Sequence, residues 1–189
     1  ECRILRVSFT GELSYEINVP ADAAASLWRQ ILAAGRAFDI APFGIEATMS
    51  LRIEKGCLHV GSDTDGTTVP DDVGFGAAAA KKRADFIGRR SLSLPENLRA
   101  DRMQFVGLRA VDPAQPLVAG AHLVDATTAG YVTSACHSPT LNASVGLGLL
   151  RRGRSRTGER VRVFDNGVES MAEVVVPMHY DPEGARLHG

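Results

Sequence analysis

In "RILRVSFTGELSYEINV", residues 3–19, hydrophobic and polar residues alternate from Leu5 to Phe9 and again from Leu13 to Val19. Successive strand side chains point to opposite sides, so Leu5, Val7 and Phe9 fall on one face of a first strand. In a second strand Leu13, Tyr15, Ile17 and Val19 share a face, and Ser14, Glu16 and Asn18 share the other. Thr10-Gly11-Glu12 between them supplies a turn, and the pattern predicts a hairpin. The period then lengthens. Ala24, Leu27, Trp28, Ile31 and Leu32 recur at helical spacing, with Asp22 as a cap or first-turn acid and Gly35 placed to end the helix. A short extended piece around Ile40 leads to a second predicted helix, from about Ile45 to Lys55. Ile45, Met49 and Ile53 lie along one stripe of it, and Gly56 closes it. Residues 57–76 are rich in Gly and Asp and read as loop, and "ADFIGRRSL" reads as a short helix with Asp85 near its start.

The pattern changes near Pro95. From Met103 onward the chain offers strand-like runs at "MQFVGLRAV", "AHLVD", "AGYVTSACHS", "ASVGLGLL", "RVRVFD" and "MAEVVVPMHY", separated at short intervals by turn residues such as Asn166-Gly167. That predicts a small antiparallel barrel or sandwich. The expected fold class is α+β, with an α+β body over residues 1–98 followed by a β-barrel domain over 99–189.

Composition narrows the function classes. A formal charge of −1 argues against a general nucleic-acid or membrane-surface binder, which needs a basic excess. No apolar run approaches the roughly 20 residues that cross a bilayer, and no signal peptide is recognised. Cys2, Cys57 and Cys136 are widely spaced and odd in number, which predicts a reduced, cytoplasmic setting without a disulfide framework or structural zinc. The opening "ECRILRVSF" enters a strand almost at once, so the sequence reads as a piece of a longer protein, inactive on its own.

Most candidate motifs have an ordinary structural explanation. "DTDGTTVPDD" gathers Asp63, Asp65, Asp71 and Asp72, but Thr67 stands where a calcium loop needs an oxygen-rich Asp or Asn, and a proline interrupts. A turn-rich connection held by Asp side chains fits it better. "KKRADFIGRR" holds five basic residues within ten, but it carries a single Phe and acidic residues elsewhere balance its charge, so it reads as a solvated face or a subunit contact. His59, His122, His137, His179 and His188 never pair at metal-ligand spacing, and no nucleophile elbow, P-loop or dinucleotide fingerprint is present. Glu16 admits two readings. It is either an outward-facing strand carboxylate, or an acceptor for two parallel N–H bonds from a heterocycle, with Phe9 as an apolar wall. The pattern alone leaves both open.

Longer strings go further. "FTGELSYEINVP", "PFGIEATMSLRIEKGCLHVGSDTDGTTVPDDVGFG" and "KKRADFIGRRSL" resemble the aminomethyltransferase (glycine-cleavage T-protein) family. The nearer resemblance is to its branch in the alpha subunits of heterotetrameric sarcosine oxidases, through "LRIEKG", "GYVTSACHSPTLNASVGLGLL" and "YDPEGARLHG". This resemblance implies a tetrahydrofolate-binding module, with the pterin held by Glu16 and walled by Phe9. It implies an oxidoreductase in which the imine from sarcosine demethylation becomes 5,10-methylene-tetrahydrofolate. FAD, FMN and NAD are then expected elsewhere in the enzyme, and the other oxidase subunits are the partners. No residue of this chain corresponds to the family's one-carbon-transfer Asp. Thr48 stands where aminotransferring members carry an Arg, and Asp181 where an Arg follows their aromatic pair. Both departures favour the oxidase branch over a T-protein proper. A scaffold that keeps the fold without folate is the remaining alternative.

Overall fold

The computed structural model describes residues 1–188. The first strands are β1 (Arg3–Arg6) and β2 (Tyr15–Asn18), paired antiparallel with Ile4 opposite Ile17 and Leu5 opposite Glu16. Both are shorter than their alternation predicts. Residues 7–14 form a loop, and Phe9 belongs to that loop rather than to β1. Gly11 sits in it at φ +85°, so close to Lys55 that a Cβ would lie 2.5 Å from that side chain.

Helix α1 (Ala21–Gly35) follows, with Asp22 in its first turn where the N-terminal partial charge favours an acid. Gly35 does not end the coil. A 3-10 turn over Arg36–Phe38 prolongs it, and the stop falls on Asp39 in the left-handed conformation. Helix α2 (Ile45–Lys55) ends on Gly56 at φ +76°, where Gly56 and Cys57 donate to the carbonyls of Ile53 and Arg52. Its buried side is not the predicted stripe. Ile53 is buried, but Ile45 is 70% exposed, and the residues buried beside Ile53 are Arg52 and Glu54.

The short helix expected at "ADFIGRRSL" is absent. Gly88, at φ +92°, breaks the coil there, and the helical turns fall on either side, as α3 (Gly76–Lys81) and a 3-10 turn at Arg90–Ser93.

Six further strands make the second half: β3 (Met103–Ala110), β4 (His122–Val124), β5 (Thr128–Ser138), β6 (Ala143–Arg151), β7 (Arg160–Asp165) and β8 (Val168–Val175). They close into a barrel in the order β3-β6-β5-β4-β7-β8, with β3 paired to both β6 and β8. Asn166 and Gly167, both at positive φ, form the tight turn between β7 and β8. The barrel interior is packed with Val106, Leu108, Leu123, Val132, Leu150, Val161, Val163 and Val174. A second cluster, Phe105, Val145, Leu147 and Leu149, lies outside the barrel wall and receives Ile53 of α2. Strand β6 is therefore buried on both faces, which explains its nearly unbroken apolar run. The protein is an α+β fold with a closed six-stranded antiparallel barrel. Among the described residues no helix is long and apolar enough to cross a membrane.

Candidate functional site

Glu16 is exposed, and among the described residues no side chain forms an ion pair with it. The register adds what strand alternation could not. Directly opposed residues share a face of an antiparallel pair, so Glu16 stands beside Leu5. The Ser14, Glu16, Asn18 face is thus a mixed surface, with a carboxylate from β2 next to an aliphatic side chain from β1. Phe9 does not join them. Its ring packs against His59, with centroids 6.2 Å apart and planes at 52°, an ordinary tilted aromatic pair.

Beneath that ring pair lies a buried polar node that the sequence reading missed. Asp63 is fully buried. Its Oδ2 accepts from Arg52 Nη1 at 2.5 Å and from the His59 backbone N–H at 2.9 Å. Its Oδ1 accepts from the hydroxyls of Thr133 at 2.5 Å and Ser134 at 2.8 Å. Arg52 Nη2 also donates to Ser134 Oγ at 2.6 Å. A charge buried this deeply is tolerated when it is paired and its lone pairs are filled, as here. The signal available in the sequence was the pair of charges flanking Ile53. Alternate charges around a core-facing helical residue must be solvated or paired, and the partners came from a loop and a distant strand.

A parallel arrangement lies one helical step away. Glu54 Oε1 accepts from Ser138 Oγ at 2.5 Å, while its backbone carbonyl accepts from the N–H groups of His179 and Tyr180. The chain after β8 is thereby turned back toward the hairpin. Asp181 accepts from Lys55 Nζ at 3.3 Å and from the N–H groups of Ala185 and Arg186. The Arg186 carbonyl then accepts from Leu13 N, and Arg6 donates to the Leu187 carbonyl at 2.7 Å. Asp181 is therefore a fastening point of the tail. Thr48 serves its own helix, donating to the Gly44 carbonyl at 3.3 Å.

The other nucleophile and base candidates are muted. Burial, with the Glu54 carboxylate nearby, pushes the Cys136 thiol up to about 11, against the smaller opposing effect of Arg52. Burial also raises the Cys57 thiol. His179 is held below its ordinary value, chiefly by burial, and its Nε2 bonds the Gly146 carbonyl at 2.9 Å. Asp65 spends its carboxylate on Thr67 and Thr68, the loop-stabilising role expected of it. Two open grooves of about 540 and 740 Å³ run beside the segment 66–104, and neither is lined by Phe9 or Glu16.

Comparison with known proteins follows the same division of the chain. The GCVT N-terminal domain model matches residues 1–83, and the glycine cleavage T-protein C-terminal barrel domain model matches 104–181. The chain belongs to the glycine-cleavage T-protein family. It is 42% identical to the sarcosine oxidase subunit alpha of Corynebacterium sp. (strain P-1), over 100% of this chain and 20% of that subunit. The corresponding subunit of Rhizobium meliloti (strain 1021) is 38% identical, over 98% of this chain and 20% of its own length. The aminomethyltransferase of Moorella thermoacetica is 33% identical, over 96% of this chain and 50% of that protein. The crystal structure of aminomethyltransferase T of the glycine cleavage system from Bartonella henselae superposes with a TM-score of 0.79 at 26% identity, covering 96% of this chain and 50% of that one. The chain thus spans about one fifth of the oxidase subunits and half of the aminomethyltransferases it matches.

Proposed function

We propose that this chain is a tetrahydrofolate-binding module of a sarcosine-oxidase-type enzyme. In this reading, residues 1–98 form part of the folate-binding body, residues 99–189 form the barrel domain, and other oxidase subunits are the partners in a cytoplasmic complex. The observation that carries it is the pairing of Glu16 with Leu5 across the hairpin. A pterin presents a ring N–H beside an amino group on a flat apolar ring. A carboxylate accepts both donors through two charge-assisted bonds, and an adjacent aliphatic side chain covers the ring. Phe9, fixed against His59, supplies a wall at the end of the same hairpin.

Bound tetrahydrofolate would supply the amine nitrogens that accept a one-carbon unit. The chain's own residues bind and orient. Glu16 sets the direction of the pterin, and fixing the acceptor where the one-carbon unit arrives lowers the entropic part of the barrier. The oxidase branch is preferred to a T-protein proper on two residues. Thr48 is bonded within its own helix, and Asp181 anchors the tail, so neither offers the cation of the aminotransferring members. Chemistry at the flavins, with FAD, FMN and NAD, belongs to other parts of the complex.

Calorimetric titration with 5-formyltetrahydrofolate, beside a Glu16→Gln control, tests the reading. The expected result is saturable binding that the substitution weakens tenfold or more, about 1.4 kcal/mol. Equal affinity of the two proteins removes Glu16 from the site, and absence of binding to both favours a scaffold.

A further inference from the structure

We propose that Asp63 is a positioning residue: through the His59 backbone it holds the imidazole against Phe9, and so fixes the hairpin loop relative to the barrel. The inference rests on the folate reading for its functional meaning, but not for its geometry.

A simple counter-ion for Arg52 would not require the rest of the arrangement. Asp63 closes residues 59–63 into a ring by two bonds, from its own N–H to the His59 carbonyl at 2.9 Å and from the His59 N–H to its Oδ2 at 2.9 Å. His59 is held a third time, now through its ring, with Nδ1 at 2.8 Å from Ser62 Oγ. Little freedom remains in the direction the imidazole takes, and that direction is onto Phe9.

The barrel side is equally specific. In a regular strand the neighbours Thr133 and Ser134 would point to opposite faces. The pairing of β5 with β6 shifts register between Val132 and Ser134, leaving Thr133 as the extra residue of a bulge. Such bulges re-aim side chains. This one brings both hydroxyls onto the same oxygen, Oδ1, while Oδ2 is left for Arg52 and the loop. The carboxylate thus joins α2, the loop and β5, and its state is transmitted to the hairpin through one ring contact. The hairpin loop has further supports, where Gly11 abuts Lys55 and where Leu13 donates to the Arg186 carbonyl, so losing the Asp63 connection shifts the loop rather than releasing it.

The test uses Asp63→Asn and the milder Thr133→Val, with Ser138→Ala as a control that weakens the neighbouring Glu54 contact without touching the 59–63 ring. Two quantities are read: the imidazole Cε1–Hε1 resonance of His59 by NMR without ligand, and the affinity for 5-formyltetrahydrofolate. Asp63→Asn and Thr133→Val should move the His59 resonance and weaken folate about tenfold and about threefold. Ser138→Ala should lower the unfolding midpoint and leave both unchanged. The proposal is overturned if the resonance stays in place in folded Thr133→Val, or if Ser138→Ala moves it equally. Unfolding of Asp63→Asn leaves the decision to Thr133→Val. A moved resonance in a protein that never binds folate would sink the folate reading while sustaining the positioning role.

Discussion

Arg102 holds Asp72 by two parallel bonds, Nε to Oδ1 at 2.8 Å and Nη2 to Oδ2 at 2.6 Å. The pair is largely sequestered, with side chains 15% and 5% exposed, and Arg102 also donates to the carbonyls of Thr67 and Glu96. It pins the Asp-rich loop to the segment entering β3. Replacing Arg102 by Met strands the Asp72 carboxylate, and urea unfolding should show a loss of about 3 kcal/mol. Arg102→Lys should restore only part of it, because an ammonium cannot make the two-point contact. Arg99 is paired with Glu96 and Asp101 at the surface, and Arg99→Ala should leave the midpoint unchanged. Equal losses from the two arginines would contradict the assignment of Arg102 as the fastening residue.

Stability should fall as pH drops through the histidine range. Burial keeps the folded His179 below its ordinary value, so just below about pH 6.5 the unfolded chain binds a proton that the folded chain does not. This contribution is fully present above the unfolded value and is lost as pH falls toward and through the folded one. Denaturant curves at pH 7.5 and 5.5 should show the difference, and His179→Gln should reduce it. An unchanged slope in His179→Gln would assign the acid sensitivity to another group.

Thiol reactivity should separate the three cysteines. Cys2 is exposed, whereas burial raises the thiols of Cys57 and Cys136. Because the thiolate is the reactive form, iodoacetamide at pH 8 should label Cys2 first and Cys136 very slowly. Peptide mass spectrometry over a time course reads the order. Rapid labelling of Cys136 in the folded protein would mean that β5 opens more readily than its packing indicates.

The barrel was legible because its strands carry their own punctuation. "RVRVFDNGVE" contains both the alternation and the two residues that tolerate positive φ. Helix α2 was legible for the same reason at its end, through Gly56, but its buried side was not. Periodicity counts apolar residues, and here Arg52 and Glu54 go inside because Asp63 and Ser138 meet them, 11 and 84 positions away. The helix expected around Asp85 failed on a single glycine whose positive φ overrode the apolar spacing beside it. For the candidate site, alternation separated Glu16 from Tyr15 and Ile17 within one strand. It could not say that Leu5 would be Glu16's neighbour, which depends on the pairing register. Nor could it say that Phe9 would leave the strand for His59.

The two sheets of this protein differ in one topological respect. Because β3 bonds to both β6 and β8, every barrel strand has a neighbour on each side, and the barrel has no edge strand. Among the described residues of this chain the hairpin has one ladder, so the outer edges of Arg3–Arg6 and Tyr15–Asn18 have no strand partner within it. Rims of that kind recruit further strands. Concentrated solutions should therefore begin to associate at residues 3–18, while the barrel remains a spectator.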